Sequence, residues 1–420
     1  MRFLIAVAAL AFLASMAGGF FVFNKEKKIV IENRKVEPQN ISTPIPAIQQ
    51  EELLEKSEEL VAKAENLIFE TQQFILITQA LEKSSNVKGV YTGAVRNFSN
   101  FETLLDETEL NGLVIDIKET YGRNLSASLK NSISELHKKD IWTIARIVVF
   151  RDSSLVQEKP EWYLSFASTT DTLSTSSGQA ATTTVVWQDN AKQYWLDPKN
   201  KDVQNYIIEF SKKAIDYGFD ELQFDYIRYP DDYNYVPGPE KVKTIGDFFS
   251  SISLALREYK PSIILSVDLF GYVAAQFNSY DIGQRLIDAG RYFDYISFML
   301  YPSHFYGGFI APEDSKRQLP AVYFPYKDAN TTTTSHLAPD NPYDVVFRSV
   351  LSSVDYLDFY RLKAKIRPWL QDFDLKADIS RGIFYDAEKV RLEISAAEDS
   401  GSSGWLLWNS SYAYTEEALK

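Results

Sequence analysis

The chain has 420 residues, 45% of them hydrophobic and 24% charged, with 44 Lys+Arg against 57 Asp+Glu and a net charge of −13. That length suits one large domain with appendages or two ordinary domains, and so acidic a chain repels phosphate backbones, which argues against a nucleic-acid partner. The lack of cysteine removes disulfides, thiolate metal sites and cysteine nucleophiles, and the three histidines, His137, His304 and His336, have no metal-hydrolase spacing. With neither a GxGxxG nor a P-loop pattern present, no cofactor and no metal is expected.

Residues 3–23 form an uncharged run led by Arg2 and closed by Lys25, Lys27 and Lys28. At 1.5 Å rise per residue such a run spans roughly 30 Å, the hydrocarbon core of a bilayer. Residues 1–24 therefore read as a signal anchor, or alternatively as a signal peptide cleaved near Ser15-Met16-Ala17. Either way the rest of the chain is expected outside the cytoplasm, attached to the membrane at the cell envelope or secreted. Residues 25–84 read as a linker. Its first part is polar with Pro38, Pro44 and Pro46, and its second carries an amphipathic helix over 51–81, with Leu53, Leu60, Ala64, Leu67 and Phe74 at three- and four-residue steps or their multiples.

Residues 85–415 alternate short apolar strands with helical patterns. The predicted strands are 88–93, 112–119, 142–150, 221–226, 263–270, 295–301, 366–371 and 404–409, and helical periodicity recurs at 203–217, 245–259 and 387–397. Continuous apolar strands are buried on both faces, and eight strand–helix units predict an α/β fold, the (β/α)8 TIM barrel. A doubly wound open sheet would need a Gly-rich first turn, which is missing after Gly93. Two insertions, 165–186 and 305–341, follow strands 3 and 6, and their Thr-rich tips read as loop.

Barrels of this kind place reactive groups at strand C-termini. There the sequence puts Asp116, Lys118 and Glu119 on strand 2, Asp225 followed by Tyr226 and Arg228 on strand 4, and Asp268 on strand 5. Strand 6 brings Tyr301 and His304, strand 7 brings Trp369, Gln371 and Asp372, and strand 8 brings Trp408. A lone carboxylate after a strand is as well explained by capping the next helix, but carboxylates at four strand ends share one rim. Asp225 and Asp268 lie on neighbouring strands about 4.8 Å apart, which suits the ~5–5.5 Å separation of a retaining glycosidase. Arg228 is expected to pair with Asp225 or to form a plain structural salt bridge, and Asp116 with Lys118 to form an internal ion pair. Tyr301 and His304 are candidates to hydrogen-bond sugar hydroxyls, with a loop contact the first reading of His304, and Trp369 and Trp408 read first as core packing, with stacking of one on a sugar ring as the alternative.

The segments GFDELQFDYIRYP (218–230) and WLDPKN (195–200), with SVDLFGY (266–272), MLYPSHF (299–305), RPWLQDF (367–373) and GWLLWN (404–409), resemble a bacterial family of glycoside hydrolases formerly known only as a domain of unknown function. The resemblance covers residues 88–412. More distantly, strand 4 is similar to the alpha-amylase clan. That likeness implies Asp225 as nucleophile, Asp268 as acid/base and Asp372 as a carboxylate gripping the sugar. Three positions depart from the clan: Gln223 stands for its Arg, Asp268 for its Glu and Gln371 for its His. The expected function is hydrolysis of O-glycosidic bonds in an envelope or extracellular polysaccharide. The alternative is an inactive glycan-binding barrel serving an envelope assembly. A polysaccharide deacetylase is disfavoured, since its metal triad of two His and an Asp is not readily drawn from these histidines.

Overall fold

A computed structural model describes residues 47–94, 98–170, 181–327 and 336–420. The uncharged run at 3–23 and the proline-containing segment after it lie outside the described residues. Among the described residues no helix is long and apolar enough to cross a membrane. The described residues fall into two units, 47–75 and Leu76–Lys420.

Of the first unit, residues 47–75 are described. They belong to helix α1 (Ala47–Ser84), in which Leu53, Leu54, Leu60, Leu67 and Phe74 are all exposed. The expected helix is present, with Leu53, Leu54, Leu60 and Leu67 more than a third exposed.

In the second unit eight parallel strands close into a barrel. They are β1 (Val87–Gly93), β2 (Gly112–Glu119), β3 (Trp142–Val148), β4 (Glu221–Asp225), β5 (Ile264–Phe270), β6 (Tyr295–Leu300), β7 (Lys365–Ile366 and Trp369–Gln371) and β8 (Gly404–Trp408). Each pairs with its sequence neighbours, and β8 pairs with β1 through Lys88↔Trp405 and Gly89↔Leu406, which closes the ring. Alternate residues face opposite ways. Val114, Ile144, Ile264 and Leu406 fill the barrel interior, while Leu113, Ile115, Ala145, Leu222 and Val267 pack under the helices. Dual burial explains why these strands read as unbroken apolar runs.

Two local devices set the strand that matters most for the site. Asn200 caps the helix Lys201–Tyr217, its side chain accepting from the N–H groups of Asp202 and Val203, an arrangement worth about 1 kcal/mol. Gly218 ends that helix at φ 101°, a left-handed conformation natural to glycine, and the chain enters β4 three residues later.

The lower end of the barrel is sealed by charge. Arg367 donates to both oxygens of Glu221 at 3.0 and 2.8 Å, with both side chains wholly buried, and lies 3.7 Å over the Tyr295 ring. Trp142 also donates to Glu221, at 3.0 Å. The end of α1 joins this layer, the Ser84 carbonyl accepting from Arg367 at 2.7 Å and its hydroxyl lying 2.8 Å from that of Tyr295.

The insertions hold more order than a loop. Ser165–Thr170 and Ala181–Val186 form an antiparallel hairpin, as do Phe309–Ala311 and Val322–Phe324. The β-branched threonines that read as loop serve here as strand residues. Residues 171–180 and 328–335, which include the second Thr-rich tip, lie outside the described residues.

Candidate active site

The upper end of the barrel concentrates charge around Arg146, an inward-facing residue of β3. Its Nη1 lies 2.6 Å from Asp116 Oδ1 on β2, its Nη2 donates to Asp225 Oδ2 on β4, and its Nε lies 3.8 Å from Asp268 Oδ2 on β5. Four consecutive strands thus meet at one guanidinium, whose five donors in a fixed fork suit several carboxylates at once. In the strand register Arg146 is level with Gln223, and Asp225 two residues on is level with Val148. The long arginine stem therefore carries the charge up from the layer below.

Asp225 and Asp268 are cross-strand neighbours, since Phe224 pairs with Val267 just before them. Sharing one guanidinium holds their carboxyls within about 9 Å of each other, inside the range used by glycosidases. The two environments differ. Asp225 accepts from Arg146 and, at 2.6 Å, from the Tyr226 N–H, so both its oxygens serve as acceptors. Asp268 is 1% exposed and accepts from Trp369 Nε1 at 2.9 Å. Its burial, and then the charge of Asp225, push its pKa well above the usual carboxylate range against the opposing pull of Arg146 and Trp369. A carboxyl biased toward its neutral form thus stands beside one that accepts two N–H bonds.

Aromatic rings wall this cluster. Tyr91 donates its hydroxyl to Asp116 Oδ2 and stacks on Trp408 at 4.0 Å, and the Arg146 guanidinium sits 5.5 Å from the Tyr91 ring and 5.3 Å from that of Trp408. Trp369 meets Trp408 edge-on at 5.7 Å. Trp408 and Met299 keep partial exposure, which leaves apolar surface facing the opening. On the far side Tyr301 packs edge-on against His304 at 5.3 Å and Phe373 at 5.4 Å. Burial lowers the pKa of His304, so its ring is neutral at physiological pH.

The expected site residues separate in this geometry. Asp116, Asp225, Asp268, Trp369 and Trp408 converge, with Tyr301 and His304 beside them. Asp372 is turned away from them. Its two oxygens accept from the Thr415 N–H at 2.9 Å and the Thr415 hydroxyl at 2.7 Å, which fastens the C-terminal segment. Lys118 makes no pair with Asp116. A register shift between Asp116 and Lys118 turns it away, and it lies wholly buried against Asp152 at 2.8 Å, where it cannot meet a sugar. Arg228 is not paired with Asp225 either. Tyr226 adopts φ 49° directly after Asp225, and the diverted chain lays Arg228 over the Phe270 ring at 4.3 Å.

Arg146, Tyr91 and Glu119 complete the cluster. Glu119 is exposed as a whole residue, and partial desolvation of its carboxyl, followed by the nearby Asp116, raises its pKa. Arg146 carried a signal in the sequence: it is the lone charge in the apolar stretch WTIARIVVF, and a buried charge requires partners. Among the described residues no group of His, Asp and Glu is arranged to hold a metal ion.

No curated protein matches the chain. Among solved structures, a hypothetical protein from Ruminiclostridium thermocellum ATCC 27405 is similar at 30% identity over 43% of this chain and 96% of its own, with a TM-score of 0.33. An alpha-galactosidase from Thermus thermophilus in complex with stachyose is similar at 15% identity over 79% of this chain, which spans 63% of that enzyme, with a TM-score of 0.42. An alpha-amylase from Geobacillus thermoleovorans complexed with acarbose is similar at 11% identity over 80% of this chain and 74% of its own, with a TM-score of 0.43. A family model described as "Putative glycosyl hydrolase domain" matches residues 87–414, nearly the whole barrel, and the chain belongs to that family.

Proposed function

We propose that the barrel hydrolyses O-glycosidic bonds with Asp225 as nucleophile and Asp268 as acid/base. The observation that carries this is the cross-strand placement of the two carboxyls on one guanidinium, with Asp268 biased to its neutral form. In the first step an Asp225 oxygen bonds to the anomeric carbon as the bond to the leaving oxygen breaks, and the Asp268 proton passes to that oxygen. In the second step water attacks the same carbon, Asp268 takes its proton, and Asp225 is released. Adjacent strands about 4.8 Å apart favour this retaining course over an inverting one. Arg146 and Asp116 do not react. They hold Asp225 in place, and the Tyr91–Trp408 stack supplies a face for a sugar ring.

A glycan-binding barrel without turnover is the second reading, and the near-complete burial of Asp268 favours it. Incubating the purified chain with a panel of polysaccharides separates the two. New reducing ends, with the first product NMR-visible in the configuration of the substrate, support the retaining hydrolase. Binding with no new ends supports the second reading, and product of opposite configuration overturns the retaining step.

The uncharged run at 3–23 supports a place outside the cytoplasm, attached to the membrane, with an envelope or extracellular polysaccharide as substrate. Recovery of the full-length protein in the membrane fraction, with the barrel open to protease added outside the cell, is the expected result. Protection of the barrel from that protease contradicts it.

A further inference from the structure

Arg228 is a buried cation without a counter-ion. It is 8% exposed, yet among the described residues no carboxylate comes within ion-pair reach, and its one hydrogen bond runs from Nη1 to the Tyr229 carbonyl at 2.9 Å. Its other guanidinium nitrogens have no hydrogen-bond partner among the described residues and are not sealed from solvent. Aromatic faces hold the group in place: Phe270 at 4.3 Å, Trp195 at 5.1 Å and Tyr226 at 5.3 Å. Its neighbour Arg151 is paired, with Nε 3.6 Å from Asp189. Arg146 is likewise matched by carboxylates. Arg228 alone of these three keeps its charge free, next to the strand end that bears Asp225.

A buried, unpaired guanidinium is costly to maintain in a folded chain, and a planar fork held by rings is preorganised for an oxyanion. We propose that Arg228 anchors an oxyanion carried by the substrate sugar, so that the glycan taken by this rim is an acidic one. The inference rests on the reading of the rim as the sugar site, and it names the substrate class within that reading. The shared chemistry is a carboxylate or a sulfate ester presenting two oxygens to the fork.

The test is calorimetric titration of the full chain with glucuronate and galacturonate oligosaccharides, a sulfated galactan oligosaccharide, and neutral gluco- and galacto-oligosaccharides of equal length. At least one acidic ligand is expected to bind at least about tenfold more tightly than its neutral counterpart. That preference should weaken as salt rises and vanish in Arg228→Gln, whose affinity for neutral ligands stays unchanged. The preferred arm tells carboxylate from sulfate. Equal binding of acidic and neutral ligands overturns the proposal, as does an undiminished preference in a folded Arg228→Gln. If that variant does not fold, thermal shifts of the unaltered chain decide. Stabilisation by free glucuronate, galacturonate or sulfate beyond that by glucose and chloride supports the site, and its absence refutes it. Preferential binding without cleavage sinks the hydrolase reading and leaves the anion site standing; cleavage of neutral glycans alone does the reverse.

Discussion

Replacing Arg146 with methionine removes the cation that Asp116, Asp225 and Asp268 face, at 2.6 Å for Asp116, by direct contact for Asp225 and at 3.8 Å for Asp268. All four side chains are buried. Leaving a buried carboxylate without its partner costs about 3–5 kcal/mol. The costs of the two direct pairs do not simply double, because a proton taken up by one carboxyl relieves the others. Lost contact with the Tyr91 and Trp408 rings adds about 1 kcal/mol. The expected loss at pH 7 is therefore about 4–6 kcal/mol, a large part of the ~5–15 kcal/mol that holds an ordinary domain. In the variant Asp268, already raised by burial, loses the opposing pull of Arg146 and binds its proton still more readily folded than unfolded. Its favourable contribution is then complete below about pH 4, where the unfolded chain is protonated too, and is lost as pH rises. The deficit relative to the unaltered chain should shrink on acidification. Guanidinium unfolding followed by tryptophan fluorescence, at pH 7 and about pH 4.5, reads both effects. A variant within about 1 kcal/mol of the parent at pH 7, or a deficit that grows toward acid, refutes the account of the cluster.

Asp268→Asn should lower turnover by about 10²–10⁴-fold while leaving stability at pH 7 unchanged or improved, because the amide replaces a carboxyl that burial already biases to its neutral form. A loss of more than about 2 kcal/mol in that variant would show that the parent carboxyl bears a charge the fold relies on. In the unaltered chain the raised Asp268 contributes stability that is full below about pH 3.9 and declines as pH rises through its folded value. The decline should be absent in Asp268→Asn. Asp372→Ala should cost about 1–3 kcal/mol through the orphaned Thr415 donors, with turnover and KM nearly unchanged. A collapse of turnover in a folded Asp372→Ala protein would restore that residue to the site.

The barrel was legible because double burial writes each strand as an apolar run, and Asp225 and Asp268 stood out as carboxylates interrupting such runs at their ends. What escaped the sequence depends on backbone irregularity and side-chain reach. Strand β7 is split between Ile366 and Trp369, where Pro368 offers no N–H to the ladder. The register shift before Lys118 and the left-handed turn at Tyr226 redirect charges that adjacency in sequence would have paired with Asp116 and Asp225. Arg146 sits a layer lower than the carboxylate it serves on β4, so a reading of strand ends alone passes over it. Asp372 does end its strand, but the Thr415 segment that claims it comes from the far end of the chain.

The central claim is that Asp225 forms the bond to the sugar, and turnover by Asp225→Asn tests it most directly. On a polysaccharide cleaved by the parent, the variant should keep its folded circular dichroism spectrum and lose at least about 10³-fold in kcat. Equal release of reducing ends by the two proteins would contradict the account.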